Sequence, residues 1–225
     1  MEMPMIDWSL FWAPVRLSLI VALLSSMVTI IVGSLLAKWM SRKTFRGKLF
    51  LETAFMLPIV LPPTVVGFLL LVLFGRNSFV GSVIERIFDA PLLFTWWAAV
   101  IASIVVSFPL VYQTMKVGFS SVDQELEAAG RSIGANEWQV FRYITLPLVW
   151  PSLMTAYILG FARSLGEFGA TLMIAGNIPG KTQTVPTAIY IAVDSGNTSM
   201  AWVWTISIIV ISFLLLLITG RNKTT

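Results

Sequence analysis

Five long apolar runs constrain this chain more than any other feature of its sequence. Residues 17–37, 53–75 and 90–115 contain no charged side chain, and 195–220 is equally charge-free. A fifth run, 148–175, is apolar except for Arg163 and Glu167. About 20 apolar residues in a helix cross the hydrocarbon core of a bilayer, and only helices or closed barrels satisfy their backbone groups there. The expected fold is therefore all-α, a polytopic membrane protein of five transmembrane helices. Residues 182–193 are apolar but too short to span, which predicts an interfacial or re-entrant piece.

The flanking charges set the expected orientation. Lys38, Arg42, Lys43, Arg46 and Lys48 crowd the first loop, and Lys116, Arg131, Arg142, Arg221 and Lys223 fall in the third loop and the tail. The remaining loops hold Arg76, Arg86 and Lys181, partly offset by Glu85, Asp89 and Asp194. By the positive-inside rule the first group is cytoplasmic, which puts the N-terminus outside and the C-terminus inside. That arrangement needs an odd number of spans and agrees with five. Glu2 and Asp7 replace the positive region of a cleavable signal peptide, so none is expected.

Composition removes several classes of function. Hydrophobic residues make up 57% of the chain and charged ones 12%, against roughly a quarter charged in soluble domains. The net charge of +4 does not indicate nucleic acid, because the basic residues sit at the ends of apolar runs rather than on one polar face. With no Cys and no His, thiolate catalysis, imidazole acid–base chemistry and Cys/His metal ligation are excluded. No nucleophile–base pair suited to an intramembrane enzyme is evident.

Between the third and fourth runs, residues 120–147 form the most polar and most patterned loop. Ser121 followed by Gln124 reads as a capping box opening a short helix through Ala129, broken by Gly130 and Gly134. Asn136 with Gln139 reads as a second cap, opening a helix with Trp138, Phe141 and Ile144 on one side; Pro147 then starts the fourth span. Two short helices with an apolar face, held at the membrane surface, suit docking into a partner's groove. An ordinary amphipathic connector is the alternative.

This segment, Glu127-Ala-Ala-Gly-Arg-Ser-Ile-Gly134, then nine residues, then Ile144-Thr-Leu-Pro147, resembles the EAA loop of type I ABC importer permeases. Its Gly134-to-Pro147 spacing matches that pattern, whereas Glu127 lies one residue farther from Gly134 than is common. The resemblance implies a type I permease fold over residues 12–220, with 117–147 as a cytoplasmic coupling loop. Glu127, Ala128, Ala129, Gly134, Ile144, Leu146 and Pro147 would then contact the ATP-hydrolysing subunit.

The stretch Phe161-Ala-Arg-Ser-Leu-Gly-Glu-Phe-Gly-Ala170 is similar to one shared by molybdate and sulfate permeases. Thr182-Gln-Thr-Val-Pro186, Ala188-Ile-Tyr190 and Leu57-Pro-Ile-Val-Leu-Pro-Pro-Thr-Val-Val-Gly67 resemble the molybdate branch. What this implies is a homodimeric membrane subunit of an importer in the cell membrane. Its partners would be a cytoplasmic ABC ATPase, an extracytoplasmic molybdate-binding protein and membrane lipid, with no nucleic acid. No cofactor is expected on this chain, since ATP-Mg would sit on the partner. Sulfate, thiosulfate and tungstate remain alternative substrates, and a stand-alone ion channel the alternative outside the class.

Arg163 and Glu167 are four apart on one helical face, and an ionisable residue in a span must face the bundle interior or water. The pair is either a packing clamp or part of a translocation path. Pro58, Pro62 and Pro63 interrupt the second run, giving either a kinked path-lining span or a helix bent at its cytoplasmic end. Pro62, Pro63, Thr64, Arg163, Glu167 and Thr171 are accordingly the candidate path residues. Gly160, Gly166 and Gly169 permit close helix approach. The run Gly176-Asn-Ile-Pro-Gly-Lys181-Thr182 superficially suggests a phosphate-binding loop, but Ala175 stands where its first Gly belongs and Pro186 follows. That run is expected in an outer loop, where Lys181 is either a solvated lysine or an attractant for anions.

Overall fold

The computed structural model describes residues 8–220; Glu2, Asp7, Arg221 and Lys223 lie outside them. The described chain is all-helical. Four helices are long and apolar enough to cross a membrane: Phe11–Arg42, Trp96–Ser120, Glu137–Leu165 and Thr198–Leu215. A bent helix pair supplies the fifth crossing if it counts as one span.

Helix α1, Trp8–Arg42, extends well beyond the expected 17–37. At 1.5 Å per residue its 35 residues measure about 52 Å. Leu23, Met27, Ile31 and Leu35 recur every fourth position on its exposed side, the stripe such a helix offers to lipid.

The second run is not a continuous helix. It divides into α2, Lys48–Val60, and α3, Pro63–Phe74, bent by 114°. Pro62 and Pro63 supply no amide hydrogen, and the residue before a proline is driven out of the helical region. Leu61 obeys this, with φ −73° and ψ 142°. Pro58 stays inside α2, so one proline is tolerated where two adjacent ones are not.

After α4, Phe79–Phe88, the third span begins at Trp96 rather than at 90. Residues ahead of it form a turn in which Phe94 has φ 61° and donates its N–H to the Ile174 carbonyl at 2.8 Å. Helix α5, Trp96–Ser120, then occupies the centre of the bundle between α1 and α8, with Trp96 and Trp97 stacked in its first turn.

The loop after α5 departs from its expected caps. Ser121 closes α5 and donates to the Gly118 carbonyl; Asp123 is the cap of α6, Gln124–Ser132, accepting from the Glu125 N–H at 2.9 Å. Gly130 lies inside α6, and the break falls at Gly134, where φ is 93°. Asn136 and Gln139 do form the expected capping box of α7, Glu137–Val140.

Pro147 does not start the fourth span, because helix continues from Glu137 through a π-helical turn, Phe141–Thr145, into α8, Leu146–Leu165. The wider turn leaves room for a proline ring that would otherwise clash with the carbonyl four residues before it. The fourth run also ends early. It breaks at residues 166–168 and resumes as α9, Gly169–Ala175. The short apolar piece is α10, Val185–Asp194, and α11, Thr198–Gly220, completes the chain.

Four apolar clusters hold the bundle among the described residues, the smallest being Ala22, Phe161 and Leu165 between α1 and α8. Val21, Val66, Leu70, Ala98 and Ile174 join α1, α3, α5 and α9. Met40, Val111, Tyr112, Met115 and Val149 join α1, α5 and α8 near the basic end, the one that carries Lys38 and Arg42. Phe11, Val185, Met200 and Trp204 join α1, α10 and α11 at the opposite end. Close backbone approach substitutes for a hydrophobic driving force that lipid cannot supply. A methyl on Gly160 would fall 2.7 Å from a Val111 methyl, and one on Gly33 would fall 3.1 Å from the other. Polar ties are few: Thr29 and Ser107 hydroxyls meet at 3.3 Å, and Ser18 Oγ accepts the Val185 N–H at 2.8 Å, pinning α10 to α1.

Candidate functional site

At the basic end the chain builds a knot around one carboxylate. Glu127 projects from α6 and is 2% exposed. Arg42, the last residue of α1, donates to both carboxylate oxygens in a fork. Thr145, in the π turn, donates its hydroxyl to Oε1 at 2.6 Å, and Arg131 Nη2 approaches Oε2 at 3.4 Å. Arg131 also donates through Nε and Nη2 to Glu137, at 2.6 and 3.1 Å, linking α6 to α7. The Arg42 hydrogen bonds, joined by those of Thr145 and Arg131, hold the Glu127 carboxyl down to about 2 against the upward push of burial. A second tie runs beside the first, for the Lys38 ammonium lies 3.6 Å from the centre of the Phe141 ring.

Glycine makes this packing feasible at two positions. A methyl on Gly130 would stand 2.6 Å from Ile144 Cδ1, so any larger residue makes the Ile144 side chain shift for α6 to lie against the π turn. Gly134 has open space around it, and its positive φ is the constraint. The expected apolar face divides in two. Ile144 and Phe141 turn partly inward, whereas Trp138, Tyr143, Leu126 and Ile133 are exposed. Ala128, Ala129 and Pro147 are exposed too, and Leu146 is half-buried in the cluster near the basic end. The knot thus presents a fixed relief of small and apolar side chains outward while its only buried acid faces inward.

The second group of residues assembles where the two interrupted spans meet. A methyl on Gly67 would fall 2.7 Å from Met173 Cβ and 2.9 Å from Ala170 Cα, and one on Gly169 would fall 3.0 Å from Pro63 Cβ. The break before α3 therefore lies directly on the break before α9, bringing Pro63 and Thr64 beside Gly169. Pro62, Pro63 and Thr64 are exposed. Glu167 and Thr171 are not; they are turned into the bundle at 3% and 1% exposure. Glu167 Oε1 accepts the Ala170 N–H at 2.9 Å and thereby closes the first turn of α9, while Oε2 accepts from Arg163 Nη1 at 2.7 Å.

Sequence reasoning missed the partners of Glu127. Arg42 reads there only as one of five cations that orient the loop, and Thr145 occupies the variable position of the Ile-x-Leu-Pro pattern. It also missed an ion pair between Lys116 Nζ and Glu52 Oε1, 2.7 Å apart, which fastens α2 to α5. The apparent phosphate-binding run holds an exposed Lys181, and its Thr182 hydroxyl accepts the Ile178 N–H at 3.0 Å.

Comparison with known proteins adds four findings. Residues 9–222 match the family described as binding-protein-dependent transport system inner membrane component. YvgM of Bacillus subtilis (strain 168), provisionally named a molybdenum transport system permease protein, is 58% identical over 219 residues, covering 97% of this chain and 96% of its own. ModB of Escherichia coli (strain K12), a molybdenum transport system permease protein, is 43% identical over 199 residues, 88% of this chain and 87% of its own. The fold is similar to a chain of a bacterial ABC transporter that imports the polysaccharide alginate, at 15% identity and a TM-score of 0.76, covering 99% of this chain and 85% of that one.

Proposed function

Because the chain belongs to the binding-protein-dependent transport system inner membrane component family, we propose that it is the membrane subunit of an ATP-driven importer carrying molybdate across the cell membrane. The observation that carries the mechanism is the Glu127 knot. It makes α6, α7 and the π turn one piece and ties that piece to α1. An ATPase subunit pressing on the exposed face around Ala128, Ala129 and Trp138 then moves the spans, not a loose loop. Two copies of the chain enclose the path, the basic end faces the cytoplasm, and a binding protein delivers the anion at the opposite end. ATP is hydrolysed on the separate subunit, and its binding state biases the bundle between two arrangements open to opposite sides.

The substrate reading draws on YvgM and ModB, whose names specify molybdenum transport and whose alignments run nearly end to end. The chemistry agrees, since a path for a tetrahedral oxyanion calls for N–H and O–H donors that hold the anion weakly enough to release it. The interrupted spans expose one such hydroxyl, Thr64, beside the break. The experiment is ATP-dependent uptake of labelled molybdate into vesicles that carry this chain, its ATPase and its binding protein. Uptake surviving a large sulfate excess is the expected result. Abolition by sulfate transfers the chain to sulfate transport, and no uptake of either anion defeats the importer reading.

A further inference from the structure

The knot at the basic end leaves unexplained why an arginine sits far along a span. Arg163 lies 18 residues beyond Thr145 on an unbroken helix, about 27 Å toward the opposite end. Its side chain is 32% exposed although it belongs to a membrane-crossing segment. A guanidinium facing hydrocarbon is strongly disfavoured, and arginines near span ends escape by reaching for the headgroups. Arg163 is not free to do so, because Glu167 holds it. That carboxylate is 1% exposed, and the Ala170 N–H fixes its other oxygen.

The grip on Arg163 is incomplete. Only Nη1 donates to Glu167 among the described residues, and a guanidinium has five N–H donors. On the exposed face Leu159 lies one turn before it, while the positions beside and after it are small. Ala162 and Gly166 flank it and are themselves exposed, and a third of the Arg163 side chain stays accessible beside them. Exposed Thr64 lies across the helix break, next to Gly169. A packing clamp alone calls for none of this openness.

We infer that the free edge of Arg163 faces the water-filled translocation path and contacts the passing oxyanion, with Glu167 as the residue that positions it. This rests on the importer reading above. A planar fork of N–H groups matches a tetrahedral oxyanion, as it does phosphate. The neighbouring carboxylate cancels most of the charge, so the contact is weak enough to release its anion, which conduction requires.

The test is ATP-dependent molybdate uptake by the reconstituted complex, with ATP hydrolysis measured alongside. The variants are Arg163→Lys, Arg163→Gln and the double Arg163→Gln/Glu167→Gln. Arg163→Gln is expected to lower the maximal uptake rate about tenfold while hydrolysis persists, in line with the loss of one charge-assisted contact. Arg163→Lys keeps the ion pair and the fold, and is expected to fall about threefold because an ammonium cannot reproduce the fork. The double variant removes both charges and is expected to remain as slow as Arg163→Gln. Wild-type uptake by the double variant shows that the pair is only a clamp and overturns the inference, as does wild-type uptake by Arg163→Lys. A wild-type complex that moves no oxyanion fails the importer reading itself, and the inference falls with it.

Discussion

Neutralising the two ends of the Arg42–Glu127 pair is expected to have unequal consequences. Glu127 is 2% exposed, whereas the Arg42 side chain is 33% exposed. Arg42→Gln strands a buried carboxylate that keeps only Thr145 and a distant Arg131. Glu127→Gln leaves a guanidinium able to turn into water. Removing one partner of a buried ion pair costs about 3–5 kcal/mol, and the partial exposure of Arg42 puts this case at the lower limit, about 3. The carboxyl held down to about 2 from an ordinary 4.5 gives the same scale, roughly 3 kcal/mol. Glu127→Gln loses one charge-assisted bond, about 1.5 kcal/mol. Independent effects would sum to about 4.5 kcal/mol, but the double variant leaves no stranded charge and is expected near 2. Hydrogen exchange of amides 124–147 in lipid nanodiscs reads these opening energies directly. Additive losses, or a larger loss in Glu127→Gln than in Arg42→Gln, would refute the burial argument.

Other perturbations follow from the same geometry. Since the folded-state carboxyl of Glu127 is depressed, its stabilisation is fully present above about pH 4.5 and disappears as pH falls toward 2. Exchange protection of residues 124–147 is therefore expected to be flat from pH 8 to 5, and a loss within that range would assign the titration to another group. Gly134→Ala places a side chain at φ 93° with free space around it, so about 1 kcal/mol of local strain is expected. Its signature is ATP hydrolysis that continues while uptake drops, and unimpaired uptake counts against the coupling assignment. Gly67→Ala drives a methyl to 2.7 Å from Met173 Cβ, an overpacking of about 1–3 kcal/mol readable as a lowered Tm. An unchanged Tm would show that α3 and α9 are free to separate.

Four of the five expected spans were legible as long apolar helices, because lipid imposes a minimum length on apolar runs, and the breaks were only half legible. Three prolines marked the interruption of the second run, but nothing indicated that Pro58 is absorbed while Pro62 and Pro63 turn the chain by 114°. The break in the fourth run had a weaker signal, since Gly166 and Gly169 serve equally for close packing. At the basic end, Glu127 and Gly134 carried a recognisable spacing. The partner of Glu127 did not, because Arg42 is 85 residues away and only the packing of α1 on the π turn brings them together. Ser121 misled for a physical reason: hydroxyl and carboxylate caps compete, and Asp123, two residues later, wins the helix start.

Helix α1 touches all four apolar clusters, with Phe11 at one extreme and the Glu127 knot at the other. Its 35 residues form one continuous helix, although Pro14 removes one rung of the hydrogen-bond ladder near its start. The bundle therefore combines one stiff strut with two jointed members, α2–α3 and α8–α9, whose joints rest on each other. On the importer reading, a push on the knot is carried along this one continuous helix and would reach the far end of the molecule as a tilt. The same reading has the change in length taken up where Pro63 sits on Gly169, the level at which the two jointed members meet.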